Sequence, residues 1–201
     1  IQTVNLLYEE TTMKKLIVGI SAADGVRIGW RLLELLREMS EVETYLVVSR
    51  MAEQNFRLEC GIEAERVKAL ANHCYEPENL AAKIASGSFY TDGMIIAPCS
   101  MKTLAAIAHG YSDNLLVRAA DVCLKENRRV VLMPRETPLS LIHLRNITAA
   151  AEAGCAIMPP MLTFYNHPAG MEDQVDHVVG KALMQFGLTP DCFRPWTGEE
   201  Y

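Results

Sequence analysis

The chain has 201 residues, of which half are hydrophobic and 22% are charged, and its formal net charge is −6. This length and composition suit one globular domain with a sizeable core, or less readily two small ones. The acidic balance excludes the broad basic surface that binding to nucleic acid or an anionic membrane requires, but it allows a local cationic site for a small anion. No apolar run approaches the length of a membrane span, so we expect no membrane association.

The cysteines and the N-terminal residues lead to further expectations. Six cysteines are scattered without CxxC spacing, and the five histidines show no spacing typical of metal ligands. We therefore expect free thiols in a cytoplasmic protein that binds no metal. Met13 is followed by two lysines and resembles a natural start. Residues 1–12 are accordingly interpreted as a non-native or disordered leader, and residues 13–201 as one domain.

The first predicted unit is a buried strand, a loop of small residues and an amphipathic helix. The strand is the continuous apolar run 16–20, the loop covers 21–25, and the helical pattern covers 26–39. Such a unit is typical of the opening of a nucleotide-binding βαβ fold. Only Gly25 and Gly29 are present where the dinucleotide fingerprint GxGxxG has three glycines, so a dinucleotide site is not favoured.

The rest of the chain repeats the alternation of strands and helices. Further strands are predicted over 43–48, 93–97, 129–133 and 155–158. Helices are predicted over about 50–59, 80–84, 104–109, 114–126, 140–153 and 172–186, with a helix-leaning region over 63–70. Strands that alternate with helices imply right-handed crossovers and a mostly parallel sheet, which is the α/β class.

Polar or small residues follow every predicted strand. They are Asp24, Ser49, Ser100, Arg135 with Glu136, and Tyr165. Since the carboxyl ends of parallel strands meet at one edge of the sheet, one shared pocket is expected there. The turn PCSMKT at 98–103 leads from the apolar run 93–97 into a helix, whose N-terminus would suit an anion.

These residue patterns also have ordinary structural interpretations. Ser100 could simply cap a helix, and Arg135 and Glu136 could form a surface ion pair. Arg118 and Lys125 lie seven positions apart on one helix face, where solvated charges are common. Because Arg135 and Glu136 directly follow a buried strand, a functional role for them is about as well supported as a surface ion pair.

Five blocks of the sequence together resemble the flavin prenyltransferase family, the UbiX-like or Pad1-like proteins formerly described as aromatic acid decarboxylases. The blocks are PCSMKTL at 98–104, RAADVCLKE at 118–126, PRETP at 134–138, IHL at 142–144 and FY at 164–165. The resemblance extends from about residue 15 to residue 196. The combination is highly specific, whereas no single block would be.

The resemblance implies a flavodoxin-like, Rossmann-like three-layer fold with helices on both faces of the sheet, so that residues 13–201 form an FMN-binding flavoprotein domain. It implies FMN bound between subunits of a homododecamer, without a metal. The implied reaction transfers a dimethylallyl group from dimethylallyl phosphate to N5 and C6 of reduced FMN, which is therefore a co-substrate. The product, prenylated FMN, would serve a partner UbiD-like decarboxylase that acts on aromatic acids.

The resemblance also assigns candidate site residues by position. FMN would be held by Ala22, Ala23, Asp24, Ser49, Ser100, Met101, Lys102, Thr103 and Arg135. The substrate and its phosphate would be surrounded by Arg118, Lys125, Arg135, Tyr165, Lys181 and Trp196, the last of which would close the site. The catalytic group would comprise Glu59, Glu136, Lys125 and Asp24, with the two glutamates moving protons. Clustered cations and a hydroxyl suit the loss of an allylic phosphate, and a Glu beside an Arg suits proton removal.

The first loop departs from the family pattern. The family has Gly-Ala-Ser-Gly where this chain has Ala22-Ala23-Asp24-Gly25, so Asp24 takes the place of a serine near flavin N5. An ionised carboxylate there would oppose anionic reduced flavin and cannot donate a hydrogen bond. We therefore expect impaired transfer near neutral pH that improves as pH falls. In the alternative, Asp24 caps the following helix and leaves the chemistry nearly normal.

Two other functions stay open at this point. One is an FMN-dependent cysteine decarboxylase, which shares the fold, although its catalytic His and its PxMNxxMW-type clamp are not evident in this chain. The other is a flavin-binding homologue whose chemistry is impaired because of Asp24. The mass of the flavin formed from reduced FMN and dimethylallyl phosphate would distinguish both from a prenyltransferase.

Overall fold

Six parallel strands form one sheet, which confirms the predicted α/β class. The computed structural model describes residues 13–198, so the leader predicted over 1–12 lies outside the described residues. The strands are β1 (Lys14–Ile20), β2 (Val42–Val48), β3 (His73–Tyr75), β4 (Gly93–Cys99), β5 (Arg129–Pro134) and β6 (Cys155–Ile157). Their order across the sheet is β3-β2-β1-β4-β5-β6. The chain thus winds outward from β1 to β3, returns to β4 beside β1, and then winds outward in the other direction.

Helices cover both faces of this sheet. They are α1 (Val26–Glu38), α2 (Arg50–Cys60), α3 (Ala64–Lys68), α4 (Met101–Ala108), α5 (Leu115–Lys125), α6 (Leu141–Glu152) and α7 (Met171–Leu183). In β1, Leu16 and Val18 belong to the core that includes α1 and α7, and Ile17 to the core that includes α4 and α5. This alternation confirms the three-layer fold, because successive strand residues point to opposite faces. Across residues 13–198, every helix is too short or too polar to cross a bilayer.

The structure differs from the prediction along one side of the sheet. His73–Tyr75 forms a sixth strand, β3, paired with β2, where the sequence predicts no strand. Three residues are too few to show an alternating pattern. The helix predicted over 80–84 is wrong, since only a 3-10 turn forms at Lys83–Ala85 before a Ser-Gly pair. The last predicted helix ends at Leu183 and continues as a 3-10 turn, Met184–Phe186.

Two glycines allow α1 to begin and to pack. Gly25 directly precedes α1 and has a φ of 94°, a left-handed conformation that favours glycine. Gly29 faces β4, and a Cβ placed on it would clash with the carbonyl oxygen of Ala97. The helix therefore lies against the strand that leads into the predicted site.

The helix α6 leaves most of its apolar side chains exposed. Ala150 is the one residue of α6 that is buried. Leu141, Ile142 and Leu144 are exposed, and these three residues are called the α6 surface below. Exposed apolar groups that lie together are typical of a protein–protein interface.

Candidate active site

A cleft of about 350 Å³ lies at the carboxyl ends of β1, β2 and β4. Five of the predicted flavin-binding residues line it: Ala22, Ser49, Ser100, Lys102 and Thr103. The direction of winding reverses between β1 and β4, and ligands of open α/β sheets bind at such a point. The structure thus brings these five residues together at the edge of the sheet that the sequence predicts.

Three helices begin at this cleft, and each has a side-chain cap. Ser49 at the start of α2 and Ser100 at the start of α4 each accept a hydrogen bond from the N–H group three residues further on, at 3.3 and 3.2 Å. Asn114 caps α5 in the same way at 3.1 Å. The first N–H groups of a helix have no partner within the helix, and the helix dipole adds positive potential there. The cleft therefore suits an anion such as a phosphate.

Part of the cleft wall is apolar. Met51, Ala106, Leu116 and Val117 contribute to it beside the polar helix starts. Pockets that hold cofactors combine an apolar lining with a few polar groups that fix orientation. The residues present therefore fit a phosphorylated aromatic cofactor such as FMN.

Ser21 is a site residue that the sequence analysis missed. Its hydroxyl donates to the carbonyl oxygen of Pro98 at 3.1 Å and accepts from the N–H group of Ser100 at 2.7 Å. Ser21 is almost completely buried. It therefore ties the loop after β1 to the turn after β4, and a polar residue directly after a buried strand was the available signal.

The other predicted flavin residues do not line the cleft. Met101, the first residue of α4, is buried in the core that this helix shares with α5. The carbonyl oxygen of Ala23 accepts a hydrogen bond from the Asn55 amide at 3.3 Å. Asp24 and Arg135 lie beyond the cleft, where they form an ion pair with 2.6 Å between Oδ2 and Nη2.

Glu59, Asp24 and Arg135 are linked through the loop after β1. Glu59 Oε2 accepts hydrogen bonds from the N–H groups of Gly25 and of the next residue, at 2.8 and 3.1 Å. Asp24 then bonds Arg135, which is followed by Glu136. Arg135 is also tied to β4, since its N–H group donates to the carbonyl oxygen at the end of that strand at 3.3 Å.

The helix start next to Asp24 is stabilised by a different carboxylate from the one that the sequence suggests. The prediction that Asp24 caps α1 is wrong: Gly25 is the capping position and receives no side-chain cap from its neighbours. Glu59, from α2, bonds the first N–H groups instead. Asp24 turns toward Arg135 because a full positive charge is available across the loop.

Tyr165 belongs to a second group of side chains, in which the loop before α7 packs against that helix. Its hydroxyl oxygen is 3.2 Å from Nε2 of His177, and its ring meets the Trp196 ring edge to face with centroids 5.4 Å apart. Lys181 follows His177 by one helical turn. Burial, and then the charge of Lys181, lower the pKa of His177. The sequence predicts no role for His177, because a single histidine in a helix gives no spacing signal.

Arg118 and Lys125 are separated from Tyr165 and Lys181 within one chain. They lie on α5, which packs on the opposite face of the sheet from α7. Arg118 is paired with Asp121 at 2.6 Å, and Lys125 is paired with its neighbour in the chain. The predicted set of phosphate-binding cations is therefore divided between two locations.

The cysteine thiols lie in environments that disfavour the reactive thiolate. The six cysteines lie within residues 13–198 and are free, and burial raises the pKa of Cys123 and of Cys155 to about 11. Such thiols are poor nucleophiles at neutral pH. In the same part of the chain, no group of three or more His, Cys, Asp or Glu side chains is arranged to hold a metal ion.

Known proteins similar to this chain are flavoproteins. A family model described as Flavoprotein matches residues 5–186. A probable UbiX-like flavin prenyltransferase of Sedimentibacter hydroxybenzoicus is 55% identical over 184 residues, which cover 92% of this chain and 97% of the relative. The chain belongs to the UbiX-like flavin prenyltransferases of the Flavoprotein family. The flavin prenyltransferase UbiX of Escherichia coli strain K12 is 50% identical to this family member, with 92% of this chain and 100% of the relative covered.

Solved structures similar to this UbiX-like prenyltransferase have the same fold. One is the dodecameric FMN-dependent UbiX-like decarboxylase of Escherichia coli O157:H7, which is 54% identical with a TM-score of 0.90 and covers 92% of this chain and 100% of its own. Another is AnUbiX (PadA1) in complex with FMN and dimethylallyl pyrophosphate. It is 45% identical with a TM-score of 0.90, and the match covers 93% of this chain and 99% of its own. The FMN-dependent cysteine decarboxylase TvaF is 16% identical with a TM-score of 0.60, which shows a shared fold alone.

Proposed function

We propose that this chain transfers a dimethylallyl group from dimethylallyl phosphate to N5 and C6 of reduced FMN, and that the prenylated FMN serves a UbiD-like aromatic acid decarboxylase. The observation that carries the proposal is the convergence of three capped helix starts on a partly apolar cleft at the switch point of the sheet. A cysteine decarboxylase is not favoured, since the likeness to those proteins extends only to the fold.

The cleft would hold FMN. Ser49, Ser100, Lys102 and Thr103 would bind polar groups of the cofactor at the helix starts, and Ala22 would allow close approach of the loop after β1. When bound, reduced FMN supplies the two nucleophilic positions at which the dimethylallyl group is attached. Ser21 would hold the loop after β1 against the turn after β4, from which Ser100 would bind the cofactor.

The departing phosphate would be stabilised by cations and a hydroxyl. Arg135, Tyr165 and Lys181 are candidates within one chain, and a charge-assisted contact to a dianion is stronger than a neutral one. Arg118 and Lys125 lie on the other face of the sheet, so we propose that a neighbouring copy supplies them. The decarboxylase of Escherichia coli O157:H7 is dodecameric, and a homododecamer of this chain would provide such a neighbour.

Protons would be moved by Glu59, in the last turn of α2, and by Glu136, which follows β5. Glu59 uses Oε2 for the helix start, so Oε1 is the oxygen that would exchange a proton. Glu136 follows Arg135 and bonds the next backbone N–H group through its own Oε1 at 3.0 Å. Trp196, whose ring rests on Tyr165, would cover the substrate and exclude water.

The cellular setting is part of the proposal. The free thiols favour a reducing compartment, which supports a cytoplasmic location. A decarboxylase in the same compartment could then receive the modified cofactor.

The mass of the flavin product tests the proposal. Reduced FMN and dimethylallyl phosphate are incubated with the protein without oxygen, and the flavin is extracted for mass spectrometry. We expect the mass of FMN plus one dimethylallyl unit, and the unmodified mass when the phosphate ester is omitted. FMN binding with an unmodified product would instead support the flavin-binding homologue with impaired chemistry, for which the Asp24–Arg135 pair is the specific observation.

A further inference from the structure

We propose that His177 fixes the direction of its hydrogen bond with Tyr165, so that the Tyr165 hydroxyl donates its own proton to a phosphate oxygen of the substrate. His177 is a positioning residue in this proposal, because it acts through Tyr165. The identity of the ligand rests on the proposed function, whereas the direction of the bond rests on the structure alone.

The loop that contains Tyr165 is attached to α7 at successive turns of the helix. Gln174 accepts a hydrogen bond from the Thr163 N–H group at 2.9 Å and donates one to the Thr163 carbonyl oxygen at 2.7 Å. One turn later, His177 Nε2 lies 3.2 Å from the Tyr165 hydroxyl oxygen. The hydroxyl therefore has a defined position relative to α7 and to its single imidazole partner.

Aromatic rings surround the imidazole and leave the tyrosine open. The His177 ring is 5.5 Å from the Tyr165 ring at an interplanar angle of 82°, and 5.1 Å from the Phe193 ring. His177 is only 5% exposed, whereas Tyr165 is 42% exposed. The hydroxyl can therefore contact a ligand on its open side while the imidazole holds it from behind.

The second nitrogen of His177 decides which tautomer is present. Nδ1 is buried from solvent and has no hydrogen-bond partner among residues 13–198. A proton on Nδ1 would be a buried N–H group without an acceptor, which is rarer and costlier than a buried lone pair without a donor. The neutral imidazole should therefore carry its proton on Nε2, the nitrogen that faces Tyr165. The lowered pKa of His177 agrees with a neutral ring near neutral pH.

The tautomer determines what Tyr165 can offer a ligand. With the proton on Nε2, the imidazole donates to the hydroxyl oxygen, and the O–H group is left to donate outward. The dianion of a phosphate monoester has only acceptor oxygens, and inorganic phosphate offers mostly acceptors, so an outward O–H group is the useful one. With the proton on Nδ1, Tyr165 would instead donate to Nε2 and offer phosphate no hydrogen. Lys181, one turn further along α7, is placed to add its charge on the same side of the helix.

The tautomer can be observed directly by magic-angle-spinning NMR of protein labelled with ¹³C,¹⁵N-histidine. The spectrum of the His177→Gln variant identifies the His177 signals by their disappearance. We expect a neutral ring with its proton on Nε2. A ring with its proton on Nδ1 overturns the proposal, whatever ligand the site binds.

A double-mutant cycle tests the consequence for binding. Titration calorimetry measures the affinity of inorganic phosphate for FMN-loaded wild type, His177→Phe, Tyr165→Phe and the double variant. We expect His177→Phe to weaken binding about threefold to tenfold, the range of a neutral hydrogen bond, and to have little further effect when Tyr165 is already Phe. His177→Gln, whose amide nitrogen occupies a position similar to Nε2, should retain most of the affinity.

Equal losses in both Tyr165 backgrounds, or no loss in either, would overturn the proposal. They would mean that His177 acts on the fold rather than through the hydroxyl. Absence of phosphate binding in the wild type would contradict the proposed function and the phosphate half of this proposal, whereas the NMR result still decides the direction of the bond.

Discussion

The Asp24 carboxylate is bonded to the Arg135 guanidinium, so its charge is offset within the site. The expectation that Asp24 impairs transfer assumes that no positive charge lies beside the carboxylate. The two side chains are 57% and 44% exposed, and exposed ion pairs stabilise by only about 0.2–1 kcal/mol. The pair is therefore a weak restraint on Arg135, and a bound phosphate could compete with it.

Replacing Asp24 should release Arg135 for the ligand. We expect Asp24→Ser and the matched variant Asp24→Asn to bind phosphate more tightly by up to about fivefold, since the competing pair is worth at most about 1 kcal/mol. Calorimetry with inorganic phosphate measures the change. Prenyl-transfer rates measured without oxygen over a series of pH values test the expectation that Asp24 impairs transfer near neutral pH. Equal rates and equal pH profiles in wild type and Asp24→Ser would contradict it.

The Tyr165 hydroxyl and the Lys181 ammonium group should bind the substrate phosphate and not the flavin. We expect Tyr165→Phe and Lys181→Ala each to weaken dimethylallyl phosphate binding by about tenfold or more, because a hydrogen bond to a charged group contributes about 1.5–3 kcal/mol. FMN affinity should stay largely intact, since neither residue lines the cleft. Unchanged phosphate affinity in both variants would mean that the phosphate site is elsewhere.

At the scale of elements, the close approach of α1 to β4 depends on Gly29. We expect Gly29→Ala to lower the free energy of unfolding by about 1–3 kcal/mol, because the added Cβ meets the Ala97 carbonyl oxygen. Helix propensity alone would favour Ala by about 1 kcal/mol. A net loss of stability would therefore be caused by the clash. Urea denaturation measures it, with Glu38→Ala at an exposed position of the same helix as the control. A stabilised Gly29→Ala variant would show that the helix can move away from the strand.

At the scale of the whole molecule, the α6 surface is an exposed apolar feature that suits assembly. We expect Ile142→Asp, at a side chain that is 68% exposed, to reduce the assembly to smaller species in sedimentation velocity. If Arg118 and Lys125 complete the site of a neighbouring copy, as proposed above, phosphate binding should weaken in parallel. Leu80→Asp, at an exposed leucine outside this surface, is the control. An intact assembly in Ile142→Asp would place the interface elsewhere.

Flavin binding should stabilise the folded molecule. A ligand that binds only the folded state adds about 2.7 kcal/mol at a hundredfold excess over its Kd. We therefore expect FMN to raise the melting temperature and the protein to quench flavin fluorescence. If saturating FMN changes neither quantity, both the prenyltransferase and the flavin-binding alternative are wrong.

The sequence by itself determined the features that depend on local patterns. The apolar run 16–20 and the helical pattern over 26–39 predict β1 and α1 closely, because burial on two faces or on one face imposes a period on the chain. Ser49 and Ser100 were predictable as caps, since a cap acts within three residues. The alternation of strands and helices then implied the shared edge at which both serines lie.

Only the tertiary structure decided which distant side chains become partners. The Asp24–Arg135 pair joins residues separated by β4, and the Tyr165–His177 contact depends on how a loop packs on α7. No local period records such a choice, because the hydrogen bond or ion pair that forms depends on which charge or lone pair the packing brings within reach. For the same reason the three-residue strand β3 was missed: its pairing with β2, and not a pattern of its own, makes it a strand.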